Sequence, residues 1–378
     1  MNIGLIGLPK AGKTTIFNAL TGQTAETAEY DTGKVEPNIG VVTVLDDRVD
    51  RLSSLYHPKK TIHATIEFID FVGHGAAKGG LFSGEGMALL KTADAFAIVL
   101  RNFSNPTLEG AYGPPDPEKD LETILTELLL TDQVLAERRL ERIQQDHQRG
   151  KKTPQSQAEE KLMERIVETL NQGNPVRDIP LTLDEKKLIS GYKFLTEKKC
   201  FALVNSDENS YRRNPELIKV LGKAARGKTP GSVAENSQEM TEEGVIGAIE
   251  FAGKFEMELS QLDEEEQKLF MEDMGIEESA KARLSRFAYQ LLGYISFFTV
   301  GEDEVRAWTI RKGETALDAA GTIHSDLAKG FIRAECFTVQ DLLDLGSEKA
   351  VKDKGLFRLE GKDYRVQDGD ILHIRFSV

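Results

Sequence analysis

Near its start the chain reads Gly7-Leu8-Pro9-Lys10-Ala11-Gly12-Lys13-Thr14, which matches the phosphate-loop pattern GxxxxGK[ST] at every fixed position. The apolar run from Ile3 to Ile6 precedes it, and a helical pattern from Ile16 to Leu20 follows. A strand, a tight glycine loop and a helix form the context in which backbone N–H groups cradle phosphates. The sequence therefore predicts an α/β fold that begins with a nucleotide-binding unit. The alternative is a glycine turn that merely starts a helix.

The side chains of this loop suit different tasks. Lys13 should reach the β- and γ-phosphates as the catalytic cation, and the Thr14 hydroxyl should ligate Mg²⁺. The predicted nucleotide contacts from the loop are Pro9, Lys10, Ala11, Gly12, Lys13, Thr14 and Thr15.

A second motif, Asp70-Phe71-Val72-Gly73, ends an alternating run from Ile62 that predicts a strand. A carboxylate in this place can hold Mg²⁺ through water, so Asp70 joins Thr14 as a predicted metal ligand. Gly73 lets a backbone N–H approach the γ-phosphate, and we count it among the nucleotide contacts. The DxxG pattern is common on its own and gains weight from the phosphate loop before it.

A third motif, Asn205-Ser206-Asp207-Glu208, follows the predicted strand from Cys200 to Val204. In GTPases the corresponding NKxD carboxylate accepts hydrogen bonds from guanine. The longer side chain of Glu208 should disturb that paired acceptance, while Asn205 can still bridge a base nitrogen and an exocyclic group. The alternative is a β-turn rich in Asn and Asp, which these residues favour in any case.

Composition excludes several classes of protein. The chain has 378 residues, enough for about two or three domains, and a formal charge of −14. This acidity argues against whole-surface binding of nucleic acid and against sequence-specific DNA binding. Two cysteines, Cys200 and Cys336, are too few for a disulfide framework and favour a reducing compartment. Without a basic leader or a run of about twenty apolar residues, we expect a cytoplasmic protein that does not enter membranes.

The organisation of the rest of the chain follows from periodicity. Apolar runs at 95–100 and 200–204 predict buried strands of a mostly parallel sheet, with helical patterns between them. Leucines at helical spacing from Leu121 to Leu170 predict a helical hairpin with its turn near 148–156, which can form a coiled-coil arm.

The region from about residue 294 predicts a small α+β domain. Its strand candidates lie at 297–300, 308–310, 364–366 and 371–376, and Asp368-Gly369-Asp370 is a hairpin signal.

Taken together, these motifs resemble the YchF or Obg-like ATPase family. The resemblance covers essentially the whole chain, and its most specific segments are 7–18, 70–73, 205–208, 302–334 and 364–372. It implies a P-loop G domain with a mostly parallel sheet over residues 1–115 and 196–290, an inserted α-helical coiled-coil arm over 116–195, and a small α+β C-terminal TGS domain over 291–378. It also implies binding of ATP alongside or above GTP, slow hydrolysis with Mg²⁺, and association with ribosomes or RNA.

The chain departs from the family pattern at the switch positions. Lys34 stands where the family usually carries a threonine that ligates Mg²⁺; it either contacts the γ-phosphate or is a solvated loop lysine. His74 follows Gly73 where the family has a hydrophobic residue. Its imidazole can orient the attacking water, which makes it a candidate catalytic residue, or it turns to solvent.

The base-contacting region departs as well. Ala252-Gly253-Lys254 stands where the family has Ser-Ala-Lys, so only Lys254 keeps its type and remains a candidate base contact. Ser206 is polar in a slot that the family often fills with an apolar side chain. ATP over GTP is the preference that we predict.

We therefore predict a P-loop ATPase that binds and slowly hydrolyses ATP, with GTP as a second substrate, in a ribosome- or RNA-associated regulatory role. The rival hypothesis is a nucleotide-gated binding switch with vestigial hydrolysis. A metabolic kinase is disfavoured, since no acceptor site is visible. Basic residues on the predicted arm either contact ribosomal phosphates or form a solvated helix face; they are Arg138, Arg139, Arg142, Arg149, Lys151 and Lys152.

Overall fold

The computed structural model describes residues 1–23, 37–71, 85–226, 247–273 and 278–377. The chain divides into two compact units: Met1–Val41 with Glu67–Ala280, and Val42–Ile66 with Lys281–Val378. In the described ranges the strands are β1 Asn2–Gly7, β2 Asn38–Thr43, β3 Lys60–Ile62, β4 Thr65–Asp70, β5 Ala95–Asn102, β6 Lys199–Ser206, β7 Ala248–Phe251, β8 Tyr294–Thr299, β9 Glu304–Arg311, β10 Phe331–Thr338, β11 Arg358–Glu360 and β12 Asp370–Phe376.

The α-helices in the same ranges are α1 Lys13–Thr21, α2 Asp47–Tyr56, α3 Glu85–Leu90, α4 Pro106–Tyr112, α5 Pro117–Gln148, α6 Pro154–Asn171, α7 Leu183–Ile189, α8 Pro215–Arg226, α9 Gly253–Leu259, α10 Glu264–Asp273, α11 Ala280–Leu292, α12 Ala316–Ile323, α13 Ser325–Lys329, α14 Val339–Leu345 and α15 Glu348–Asp353. A 3₁₀ turn spans Val176–Asp178. No helix among the described residues is both long and apolar enough to cross a membrane.

The first sheet has the strand order β2-β4-β1-β5-β6-β7. Parallel pairs join β1 to β4 and β5, and β6 to β5 and β7, which confirms the predicted α/β class. The central strand β5 is buried from Ala95 to Arg101, as expected for a parallel strand that is covered on both faces. The carboxyl ends of its parallel strands meet at one edge, where ligands of open α/β sheets bind.

The predicted strand from Ile62 to Asp70 is wrong as a single strand. It divides into β3 and β4, which belong to different sheets, and His63 and Ala64 lie between them. β3 pairs in parallel with β9, with Lys60 opposite Glu304. Alternation of apolar residues cannot reveal this division, because it is the same whichever sheet a strand joins.

The predicted helical hairpin is present as α5 and α6. Asp116 caps α5 by accepting from Lys119 N at 3.1 Å, and Thr153 caps α6. The first half of α5 does not project, because Leu121, Ile124 and Leu128 belong to the core under the first sheet. A separate core begins at Ala136, and its other buried members include Ile143, Leu162, Ile166 and Phe194. The domain boundaries at 116 and 195 stay a prediction.

The second sheet has the order β11-β10-β12-β8-β9-β3. The strand predicted at 364–366 is wrong, since only an isolated bridge joins Arg365 to Thr315. The hairpin predicted around Gly369 is also absent, because β12 pairs antiparallel with β10 and in parallel with β8. Gly369 still lies in a turn, with φ 89°, and its N–H donates to Ser296 O at 2.9 Å. Long-range pairing therefore overrides the local hairpin signal.

Candidate nucleotide-binding site

The phosphate loop lies between β1 and α1, as predicted. Gly12 takes a left-handed conformation, with φ 91°, directly before α1. The Lys13 ammonium donates to Gly7 O at 3.0 Å and to Leu8 O at 3.2 Å, so it lies inside the loop. Burial lowers the pKa of Lys13, against the opposing effect of Asp70. A poorly solvated cation in this position favours a polyanionic ligand, which would restore its charge balance.

Thr14 and Asp70 meet next to this lysine. The Thr14 hydroxyl donates to Asp70 Oδ2 at 2.8 Å, and Asn38 Nδ2 donates to the same oxygen at 3.4 Å. Burial raises the pKa of Asp70, although Thr14, Lys13 and Asn38 act in the opposite direction. Sequence reasoning missed Asn38, whose only signal was its place after Pro37, downstream of Lys34.

The donor set at Asp70 fits Mg²⁺. Asp70 is fully buried, and its Oδ1 has no hydrogen-bond partner within the part of the chain that the structure describes. A carboxylate and a hydroxyl are hard oxygen donors of the kind that Mg²⁺ prefers. No group of three or more His, Cys, Asp or Glu side chains among the described residues could hold a metal. Further ligands would be waters and phosphate oxygens, which is the usual arrangement for Mg²⁺.

Asn205 links the phosphate loop to the start of α9. Its Nδ2 donates to Ala11 O at 3.0 Å, and its Oδ1 accepts from Gly253 N at 3.1 Å. A Cβ atom would lie 2.2 Å from Nδ2 at Gly12 and 2.6 Å from Oδ1 at Gly253. Both glycines are therefore required for this close approach. Asn205, the predicted base contact, is therefore also a structural bridge, and within the described ranges its second amide N–H stays available to a ligand.

The other residues predicted to contact the nucleotide differ in their exposure to solvent. Glu208 is exposed, and the Lys254 side chain is 85% exposed, with its ammonium 3.9 Å from Glu258 Oε1. Pro9, Lys10 and Thr15 are half-buried in or beside the loop, and Ala11 is buried. The predictions for Lys34, Gly73 and His74 lie outside the described residues.

Comparisons with known proteins extend over the whole chain. The MMR_HSR1 family model, described as "50S ribosome-binding GTPase", matches residues 2–136. The YchF-GTPase_C model, described as "Protein of unknown function (DUF933)", matches residues 294–377.

Two curated relatives are similar from end to end. The ribosome-binding ATPase YchF of Haemophilus ducreyi is 39% identical over 99% of both chains, and that of Bacillus subtilis is 37% identical over 100% of both. The structure of the Schizosaccharomyces pombe YchF GTPase matches with a TM-score of 0.79 and 30% identity, covering 99% of this chain and 97% of that one.

Proposed function

We proceed from the fact that this chain belongs to the YchF family of P-loop NTPases, and we propose that it binds ATP in preference to GTP and hydrolyses it slowly. The observation that carries the proposal is the convergence of Lys13, Thr14 and Asp70 at the end of β1, with one buried oxygen of Asp70 left unpartnered among the described residues. A bound triphosphate with its cation would satisfy that oxygen and would balance the charge of the Lys13 ammonium.

The proposed chemistry is attack of water on the γ-phosphate. The loop N–H groups and Lys13 would bind the phosphates, and the Lys13 ammonium would exchange its bonds to Gly7 and Leu8 carbonyls for phosphate oxygens. Thr14 and Asp70 would hold Mg²⁺, which neutralises charge on the phosphates when it is bound. Turnover should be slow because the sequence shows no arginine finger in the switch region and lacks the usual water-orienting glutamine.

Base preference would come from Asn205 and the loop that carries Glu208. Asn205 is buried and held on both sides, so its free N–H has a defined direction. Glu208 is exposed and near in sequence, and its longer side chain should disfavour the paired guanine contacts of an aspartate.

We extend ribosome association, which the relatives' names state, to this chain as part of the same proposal. Arg149, Lys151 and Lys152 are exposed at the turn between α5 and α6 and are suited to contact phosphates. Arg139 is committed elsewhere, because its guanidinium donates two bonds of 2.8 Å to Glu159.

Calorimetry on the full chain tests the nucleotide proposal, with ATP and GTP each titrated with and without Mg²⁺. We expect Mg²⁺-dependent binding, tighter for ATP, that Lys13→Ala abolishes and that Lys219→Ala, an exposed lysine of α8, leaves unchanged. If neither ATP nor GTP binds, the proposal is refuted.

Phosphate release over many turnovers, with and without ribosomes, separates hydrolysis from the rival function. Slow release that ribosomes stimulate supports the ATPase. Nucleotide-dependent ribosome binding with negligible release would instead support a binding switch.

A further inference from the structure

A chain of hydrogen bonds crosses three neighbouring strands beside the candidate base site. Asn102 Nδ2, at the end of β5, donates to Ser206 Oγ at 2.8 Å. The Ser206 hydroxyl, at the end of β6, donates to Glu250 Oε1 on β7 at 2.6 Å. Ser206 is 2% exposed, whereas Glu250 is half-buried. No motif in the sequence analysis singled out Asn102 or Glu250.

Glu250 accepts hydrogen bonds from both ends of the 207–212 loop, which carries Glu208. Its Oε1 accepts from Ser206, where the loop begins, and its Oε2 accepts from Arg212 N at 2.9 Å, where the loop ends. Arg212 has φ 58°, a left-handed conformation that is costly for a residue with a side chain. The bond from its N–H to the carboxylate helps to keep it there.

Asp207 fixes the middle of the same loop. Its carboxylate accepts from Ser104 N at 3.0 Å and from Ser210 N at 2.8 Å. The neighbouring residue Glu208 is exposed at the surface of a loop that is fastened at its start, middle and end. The direction in which Glu208 can meet a base is therefore set by groups that would not touch the base.

We infer that Glu250, acting with Ser206, is a positioning residue that sets base selectivity by holding the 207–212 loop and so orienting Glu208. This inference rests on the proposed nucleotide-binding function and deepens it. A glutamate is suited to the task because its two oxygens can accept from a hydroxyl and from a backbone N–H at the same time. The phosphate loop is held by other contacts, so loss of Glu250 should spare phosphate binding.

The test compares Mg·ATP, Mg·GTP and Mg·tripolyphosphate, a ligand without a base, on the full chain by calorimetry. Glu250→Ala should weaken ATP binding about tenfold and narrow the preference for ATP over GTP, while tripolyphosphate binding stays within about twofold of wild type. Glu216→Ala, an exposed glutamate of α8, is the matched control and should change none of the three. Glu250→Gln keeps the volume, and its amide can accept from Arg212 N while it donates to Ser206 Oγ, so it should retain most of the ATP preference that the alanine variant loses.

Coupling between the two residues gives a second readout. Ser206→Ala should weaken ATP binding about threefold, and the double variant Ser206→Ala/Glu250→Ala should be no weaker than Glu250→Ala alone, because Ser206 acts through Glu250. Unchanged ATP affinity in Glu250→Ala would overturn the inference. An equal loss of ATP and tripolyphosphate would overturn it as well. Wild-type protein that binds none of the three ligands would instead remove the proposed function itself.

Discussion

At the level of single residues, Asp70 combines full burial with one oxygen that no described group satisfies. A buried carboxylate of this kind lowers stability unless something compensates it, because desolvation disfavours its charge. Natural proteins retain such groups at functional sites, where a ligand supplies the missing partner. Substitution of Asp70 should therefore separate loss of function from loss of stability.

We predict that Asp70→Asn raises the Mg²⁺ concentration needed for half-maximal ATP hydrolysis by at least about tenfold, since a neutral amide is a weaker ligand for a hard cation. Thermal stability should not fall, because the amide oxygen can still accept from Thr14 and the cost of burying a charge disappears. A Mg²⁺ titration of single-turnover hydrolysis measures the first effect, and Asp184→Asn at an exposed position is the control. An unchanged titration midpoint would argue against Asp70 as a metal ligand.

The two cysteines are predicted to be unreactive in the folded protein. Burial raises the pKa of Cys336 to about 12, with Asp370 acting in the same direction, and burial also raises the pKa of Cys200. Both thiols are therefore protonated at pH 8 and shielded, whereas the thiolate is the nucleophile. A colorimetric disulfide reagent should react with neither thiol before unfolding and with both in denaturant. Ser190→Cys, at an exposed site, should react at once; fast reaction of the wild type would contradict the prediction.

At the level of secondary-structure elements, side-chain hydrogen bonds join helices to segments that are distant in the sequence. The Asn205 side chain ties the start of α9 to the phosphate loop. Asp132 does the same for α5: it is buried and accepts from Leu195 N at 2.9 Å, and from Thr196 N and Thr196 Oγ1 at 2.7 Å each. These bonds fasten the segment that leads back into β6.

Gly253→Ala should weaken ATP binding about tenfold, because its new Cβ would lie 2.6 Å from Asn205 Oδ1 and displace the amide that also contacts Ala11. Gly191→Ala is the matched control, since a Cβ there meets nothing within 4 Å. Equal nucleotide affinities for the two variants, measured by calorimetry, would mean that the close approach of Asn205 to α9 is not needed for binding.

Asp132→Asn should lower the free energy of unfolding by about 1–3 kcal/mol at neutral pH. The reason is that the new NH₂ group would face N–H or O–H donors that now donate to a carboxylate oxygen. Burial raises the pKa of Asp132, although the bonds from Thr196 and Leu195 oppose the shift. The folded wild type therefore holds a proton more tightly than the unfolded chain, and this contribution to stability falls as pH rises from the ordinary aspartate value through the raised one.

The stability gap between wild type and Asp132→Asn should accordingly shrink as pH rises through that window and then stay constant. Urea unfolding at several pH values between about 4 and 8 measures it. A gap that widens with pH would show that the carboxylate is better stabilised as an anion than its burial indicates.

At the scale of the whole molecule, the second unit is assembled from two distant parts of the chain. Residues 42–66 contribute α2 and β3, and β3 pairs with β9 at one edge of the second sheet. Arg48 donates to Asp368 Oδ2 at 2.7 Å and lies 5.0 Å from the centre of the Phe298 ring. Tyr56 donates to Glu348 Oε1 at 2.7 Å. The C-terminal region therefore packs as one unit with residues 42–66.

We predict that a fragment of residues 281–378 is much less stable than one in which 42–66 is joined to it through a flexible linker. Val49 and Leu52 of α2 are fully buried, and each contributes about 1.5–3 kcal/mol by leaving water. Their loss alone is comparable with the net stability of a small domain. Circular dichroism and chemical denaturation of both fragments give the comparison. A cooperative transition of equal midpoint in the two would contradict this view of the unit.

The nucleotide site was predictable in its identity and only partly in its construction. Lys13 and Thr14 are adjacent in sequence and share one loop, so a local pattern specifies them. Asp70 was predicted to join them from the DxxG pattern, which stands downstream of the phosphate loop at the end of a predicted strand. Asn102 and Glu250 carry no local signal, and Asn38 carries only its place after Pro37, since a polar residue at a strand end has many uses until its neighbours are known.

The sequence by itself determined the phosphate loop, the strand and helix types around it and the helical hairpin, because these depend on residues within a few turns of one another. Tertiary structure alone decided that β3 joins the second sheet, that the first half of α5 lies in the core, and that Asn205 spans two loops. These features depend on which surfaces and polar groups meet across long separations in the chain. Local sequence cannot predict them, because backbone preference and apolar periodicity are the same whichever partner an element packs against.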